Sequence, residues 1–213
     1  AEQVREDLTA QDLVVARACQ VHGDRIRQIT NEDIARHGDG QGEIVCSDTD
    51  GFITDCRGVA LTTVHADCIP IFLYDRKAKA IGMVHGGWRG TCAGIGAKAV
   101  EMMIRRYSAA PGTMSCAIGP GIGPCCFEVD APVYEAFAGM DLWEERFVRR
   151  RPEEKFDIDL WAVNRRILEK AGLRPEHITA TDLCTKCHAD VFWSHRVTGG
   201  RRGSLAGFIA MEF

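Results

Sequence analysis

The chain has 213 residues, 46% hydrophobic and 26% charged, which supplies a sizeable core and excludes a disordered chain. Its 26 Lys and Arg against 30 Asp and Glu give a formal net charge of −4, with no global basic footprint for a nucleic-acid partner. Ten cysteines are too few for a disulfide scaffold at this size and point to reduced, mostly buried thiols in a cytoplasmic setting.

No basic-then-apolar leader opens the sequence, and no run reaches the ~18 apolar residues of a membrane span. Glu2 to Leu8 reads as a short helix. Leu13 to His22 is β-prone, Gly23-Asp24 punctuates it, and Arg25 to Ile29 alternates with period two, which predicts a hairpin. Residues 31–50 are polar and rich in Gly and Asp, and read as a surface loop. Gly58 to Val64, Ile69 to Tyr74 and Ala80 to His85 are short apolar runs that suit buried strands. Gly90 to Tyr107 reads as a helix and Met114 to Ile118 as a strand. Gly119 to Pro124 must be a tight loop. Asp130 and Pro132 start a helix through Phe137. Asp159 caps a further helix that runs to Ala171 and stops at Gly172. Ala206 to Met211 is a terminal strand. Helices and strands mix irregularly, so the expected class is α+β, with mixed β-sheets flanked by helices in a single domain over residues 1–213.

Several runs could carry chemistry. Cys184-Thr185-Lys186-Cys187-His188 spells a haem-attachment pattern, but a five-residue match is weak. A zinc knuckle needs a second spaced pair, and Cys125-Cys126 are adjacent, so two ordinary thiols in a turn are expected. The loop Gly119 to Pro124 is a poor dinucleotide fingerprint, since two prolines remove N–H donors, though its amides could form an anion nest. His85-Gly86-Gly87-Trp88-Arg89-Gly90 places a histidine, a planar guanidinium and an aromatic face at a strand-to-helix turn. In Thr62 to Cys68, His65 and Cys68 are three apart, which argues against a local dyad. Three strand ends thus present His22, Cys68 and His85. Two imidazoles and a thiolate are a catalytic-type zinc set with a fourth position open, and copper would accept the same donors.

Gln20-Val21-His22-Gly23, Thr63 to Pro70, His85 to Gly90 and Ala117 to Val129 resemble, in order, the motifs of the YfiH-like family, also called the polyphenol oxidase or laccase-domain family. Cys184-Thr185 and Phe192 to Arg196 are similar to its C-terminal block. The resemblance implies a fold like that of a deamidating bacterial toxin domain and a zinc site at His22, Cys68 and His85. It implies a purine nucleoside phosphorylase, in which phosphate attacks the ribose of adenosine, inosine, guanosine or S-methyl-5′-thioadenosine. Adenosine deamination is also attributed to the family. The chain departs from the family pattern at Gly121, often Cys, at Phe127, often Tyr, and at His195, where Tyr is common. A family segment before the first helix is expected to be absent.

The expected partners are therefore a purine nucleoside and phosphate, with no nucleic acid and no membrane. Cys68, Asp67 and Arg89 are the expected catalytic residues, Asp67 to orient a ligand or relay a proton. Arg89 and the amides of Gly86, Gly119 and Gly121 are expected to hold phosphate. The alternatives are a copper polyphenol oxidase, a non-enzymatic zinc-binding protein, and a cysteine hydrolase using Cys68 and His85. Cys125, Cys126 and Cys184 are near-pocket residues without an assigned role. Cys19, Cys46, Cys56, Cys92 and Cys116 are expected to be structural.

Overall fold

The computed structural model describes residues 13–37 and 43–211. The expected helix at Glu2 to Leu8 lies outside them. The first half of the chain forms β1 (Val14–Ala18), β2 (Ile26–Gln28), α1 (Asn31–Arg36), β3 (Glu43–Cys46), β4 (Gly51–Thr54), β5 (Val59–His65), β6 (Ile69–Asp75) and β7 (Ala80–Gly86). Then come α2 (Trp88–Cys92), α3 (Ile95–Tyr107), β8 (Ser115–Ile118), β9 (Glu128–Asp130), α4 (Ala131–Ala138), β10 (Val148–Arg151) and β11 (Lys155–Ile158). The last elements are α5 (Leu160–Lys170), β12 (Ile178–Ala180), α6 (His195–Thr198) and β13 (Leu205–Ala210).

The class is α+β with mixed sheets. One four-stranded sheet has the order β13-β5-β1-β3, and a six-stranded sheet has the order β12-β8-β6-β7-β4-β2. A small antiparallel sheet, β10-β11-β9, stands beside them. The two large sheets face each other because β7 alternates. Ile81 and Met83 join the four-stranded sheet's Val14, Ala16, Val59 and Leu61, while Ala80 and Val84 join the helices on the other side. There Ile95, Ala99 and Met103 of α3 and Val163, Ile167 and Leu168 of α5 complete the core. The approach is close at Gly207, where a Cβ would lie 2.4 Å from Met83 Cε. Each of the Val, Leu, Ile and Met side chains buried here contributes about 1.5–3 kcal/mol.

Three expectations differ from the structure. Residues 13–29 are not a hairpin: β1 pairs in parallel with β3 and β5, whereas β2 pairs in parallel with β4 in the other sheet. The turn between them is pinned by the buried Asp50 carboxylate, which accepts the Val21, His22 and Gly23 N–H groups and leads the chain across to the second sheet. Residues 31–50 are not only loop. They hold α1, started by a Thr30–Asp33 capping box, and β3, whose Ile44 and Cys46 face the core. The helix expected over Gly90 to Tyr107 is broken at Gly94, which sits in the left-handed region with φ 74°. The remaining elements follow expectation, including α5, where Asp159 accepts the Ala162 N–H at 2.9 Å.

Phe52 on β4 is fully buried between the two large sheets. Phe52→Ala is expected to lower unfolding stability by about 3–5 kcal/mol, read from urea denaturation. A loss below about 1 kcal/mol would mean that this inter-sheet core is looser than described.

Candidate metal centre

His22, Cys68 and His85 meet at one end of the six-stranded sheet. One donor atom from each lies within 4.8 Å of the others. Each arrives by a different route. His22 sits beyond β1 with φ 62°, a left-handed conformation that costs a non-glycine residue about 1–3 kcal/mol. Cys68 occupies the turn between β5 and β6, just after Asp67, which has φ 83°. His85 is the penultimate residue of β7 and is 2% exposed.

Asp50 holds the arrangement. Its Oδ1 accepts the His22 N–H at 3.0 Å and faces His85 Nδ1 at 2.9 Å; its Oδ2 accepts the Gly23 N–H at 2.8 Å and the Val21 N–H at 3.2 Å. Burial opposes ionisation of Asp50, yet His85 and these amides hold its carboxyl below the usual carboxylate range. An ionised partner at Nδ1 keeps a ring proton there, so Nε2 is the nitrogen that a metal would take on losing its proton. Burial alone would raise the Cys68 thiol, but the imidazoles of His22 and His85 against its sulfur bring it down to about 6. Burial likewise opposes the charge on His85, while Asp50 and then Cys68 raise it to about 9.

The donors fit a metal. Two imidazoles and a thiolate converge, and Gly87 leaves room for them. A Cβ at Gly87 would stand 3.3 Å from Cys68 Sγ, 3.3 Å from His22 Cδ2 and 3.5 Å from His85 Cε1. Gln20 braces the same end, its amide donating to the Val64 carbonyl at 2.8 Å and accepting the Val64 N–H at 2.7 Å. His65 is not among the converging donors. It is buried against Thr63 Oγ1 at 2.8 Å, and burial followed by the charge on His85 lowers its pKa to about 3.

The centre opens into a cavity of about 270 Å³. Its walls are apolar at Trp88, Ile122, Phe127 and Leu160, and cationic at Arg89, Arg196 and Arg202. Arg89 lies over the Trp88 ring, 4.3 Å from guanidinium carbon to ring centroid. Asp67 reaches the cavity with both oxygens engaged, Oδ1 by Thr185 Oγ1 at 2.6 Å and Oδ2 by the Arg196 N–H at 2.7 Å. The expected glycines are placed differently. Gly86, Gly119 and Gly121 pack against Ile69, Pro70 and Asp67, and the amides of Gly119 and Gly121 donate to Pro70 and Leu183 carbonyls. They do not line the cavity. Trp88 is the aromatic face expected in the His85–Gly90 turn; Asp50, Phe127, His195, Arg196 and Arg202 carry no role in the sequence reading, and the Phe192 to Arg196 block is the cue for two of them. A larger groove of about 680 Å³, bordered by Arg57, Tyr74, Arg76 and Met211, holds no His or Cys.

Comparison with known proteins places the chain. The family described as multi-copper polyphenol oxidoreductase laccase matches residues 1–212. The chain belongs to this laccase-like, YfiH family. It is 31% identical over 195 residues to the purine nucleoside phosphorylase YlmD of Bacillus subtilis, covering 92% of this chain and 70% of that protein. Its counterpart in Geobacillus stearothermophilus is 36% identical over 193 residues, covering 89% and 69%. A protein named adenosine deaminase RL5, from an unknown prokaryotic organism, is 35% identical, covering 90% and 72%. Among solved structures, the Bacillus licheniformis hypothetical protein YfiH superposes with a TM-score of 0.90 at 32% identity, covering 99% of this chain and 80% of that one.

Both Asp50 oxygens face donors, so an amide there would point an NH2 group at two N–H groups or at N–H and imidazole. Asp50→Asn is expected to weaken metal binding at this centre about 10–100-fold, measured by competition with a chromophoric chelator. Unchanged affinity would remove Asp50 from the support of His85.

Proposed function

We propose that the chain is a zinc-dependent purine nucleoside phosphorylase acting on adenosine, inosine, guanosine or S-methyl-5′-thioadenosine, with adenosine deamination as a second activity of the same cavity. One observation carries the reading: a His–Cys–His donor set opens into a cavity with apolar walls and three guanidinium groups. Relatives named purine nucleoside phosphorylase and adenosine deaminase support it.

His22, Cys68 and His85 would hold the ion. When bound, zinc supplies a Lewis acid for an oxygen nucleophile at this end of the cavity. The side chains of the chain do the rest. Trp88, Phe127 and Leu160 offer flat apolar surface to a purine. Arg89, Arg196 and Arg202 draw phosphate in and orient it by paired N–H donors. In phosphorolysis a phosphate oxygen bonds to ribose C1′, the C1′–N bond breaks, and the base leaves with the bonding pair and gains a proton. Asp67 is a positioning residue. Its two oxygens accept from Thr185 Oγ1 and from the Arg196 N–H, which fixes the backbone of Arg196 at the cavity next to Cys68.

A second reading has one observation in its favour. Cys68, His85 and Asp50 stand in a thiol–imidazole–carboxylate chain, the order used by cysteine hydrolases. The two readings separate on metal dependence. Chelator-stripped protein is expected to lose phosphate-dependent inosine cleavage by about a thousandfold, the rate equivalent of the several kcal/mol a Lewis acid contributes, and to regain it with zinc. Cys68→Ala is expected to lose one zinc per chain along with turnover. Full phosphate-dependent cleavage in stripped protein would sink the zinc requirement, and iodoacetamide-sensitive hydrolysis that needs neither phosphate nor metal would support the hydrolase.

A further inference from the structure

A second set of donors lies behind one wall of the cavity, in residues that the proposed reaction does not use. Cys125, Cys126, Cys184 and Cys187 bring four sulfurs within 4.8 Å of one another. The sequence leaves Cys125-Cys126 as an adjacent pair and Cys184 and Cys187 as two thiols in a turn. The fold joins the two turns across more than fifty residues of chain. We propose that these four cysteines form a closed tetrathiolate zinc site that staples the loop after β8 to the segment before α6.

The geometry separates a metal cage from the alternatives. Four sulfurs about 2.3 Å from a tetrahedral zinc lie about 3.8 Å from each other. Cys125 Sγ and Cys126 Sγ each stand 3.5 Å from Cys187 Sγ. A disulfide needs about 2.05 Å, and all four thiols are free. Both turns are also built as ligand turns. Cys184 is 5% exposed, and its sulfur accepts the Gly123 N–H at 3.3 Å, a bond that favours thiolate over thiol. The Cys126 and Phe127 N–H groups both close on the Gly123 carbonyl at 2.9 Å, and the His188 N–H closes on the Cys184 carbonyl at 3.1 Å. Two short helical turns therefore present their thiols toward one point. Four thiolates around a divalent ion carry a net charge of −2. Lys186 stands between two of the ligands in sequence, and the Arg196 guanidinium donates to the Cys126 carbonyl at 3.4 Å.

The staple has a consequence for the cavity. Ile122 and Phe127, at either side of the Cys125-Cys126 turn, line its wall. Thr185, inside the other turn, holds Asp67 next to Cys68. A four-ligand site leaves no open coordination position, so its role is to fix the wall rather than to activate substrate.

The test is zinc stoichiometry and coordination on the intact purified protein, with zinc as the probe. The wild type is expected to bind two zinc ions per chain, and Cys184→Ser/Cys187→Ser and His22→Ala/His85→Ala one each. X-ray absorption on the His22→Ala/His85→Ala protein is expected to show only sulfur neighbours, at about 2.3 Å. If the Cys184→Ser/Cys187→Ser protein fails to fold, the exposed Cys125→Ser takes its place. Its second zinc is expected to leave at a chelator concentration at least about tenfold lower than in the wild type. The proposal is overturned if His22→Ala/His85→Ala retains no zinc, if nitrogen neighbours remain in that protein, if the isolate carries iron at these thiols, or if intact mass shows a disulfide among them. These outcomes leave the phosphorylase reading untouched, since that reading stands on the other centre.

Discussion

The Asp50 carboxylate is the point on which the candidate centre turns. It is fully buried and uses both oxygens twice, gathering three consecutive amides of the His22 turn and the ring of His85. Its own backbone carbonyl accepts the His85 N–H at 2.7 Å, so the same residue fixes the end of β7 and the histidine it carries. A buried carboxylate is costly unless every lone pair is matched, and here it is matched by N–H groups of the very segments that carry ligands. The positive φ of His22 is tolerated for the same reason. The strain of one residue is offset by three hydrogen bonds to a charged acceptor, each stronger than a neutral one.

The sandwich of sheets supplies the rest of the precision. β6 and β7 are central strands, β7 buried on both faces and β6 on the face of Ile69, Ile71 and Leu73, and they pair over seven residues. A strand of this kind has no freedom to slip, because a shift of one residue would exchange its two faces. Cys68 and His85 stand at adjoining ends of this pair and inherit its register. Only His22 comes from the other sheet's side, and Asp50 and Gln20 tie it down. The centre is thus rigid where it meets the sheet, and its remaining wall is made of the first turns of α2, α5 and α6 and the loops that carry Ile122, Phe127 and Arg202.

What could be read from the sequence follows the same division. The apolar runs from Gly58 to His85, the capped helix at Asp159 and the three strand-end donors are local patterns, and local patterns survive folding. Residues 13–29 do not form the expected hairpin because the chain's turn there is dictated by Asp50, 27 to 29 residues away. The strand β3 was hidden in a polar stretch of only four paired residues, with Ile44 and Cys46 as its inward pair. Gly119 and Gly121 looked like an anion loop, since glycine permits close approach. The close approach is real, but it is to Ile69, Pro70 and Asp67. Arg202, more than a hundred residues from Arg89, becomes its neighbour around the cavity only through the return of β13 alongside β5.

Eight of the ten cysteines divide by the same logic of local and distant contacts, while Cys19 is exposed and Cys92 half-buried. Cys46, Cys56 and Cys116 are buried as small apolar side chains, and burial raises each thiol above its ordinary value, so they stay protonated and inert. Cys68 has the opposite environment, with two imidazoles at its sulfur that favour the thiolate and lower its pKa. Cys125, Cys126, Cys184 and Cys187 differ from both, because what distinguishes them is one another. An enzyme that must keep a thiolate reactive or coordinating at an open centre gains from holding the neighbouring wall with sulfurs that are fully coordinated, since closed ligands do not compete for substrate. On that view the two clusters are complementary. With an ion in each, the first would leave a position free for chemistry and the second would remove freedom from the loops that shape it.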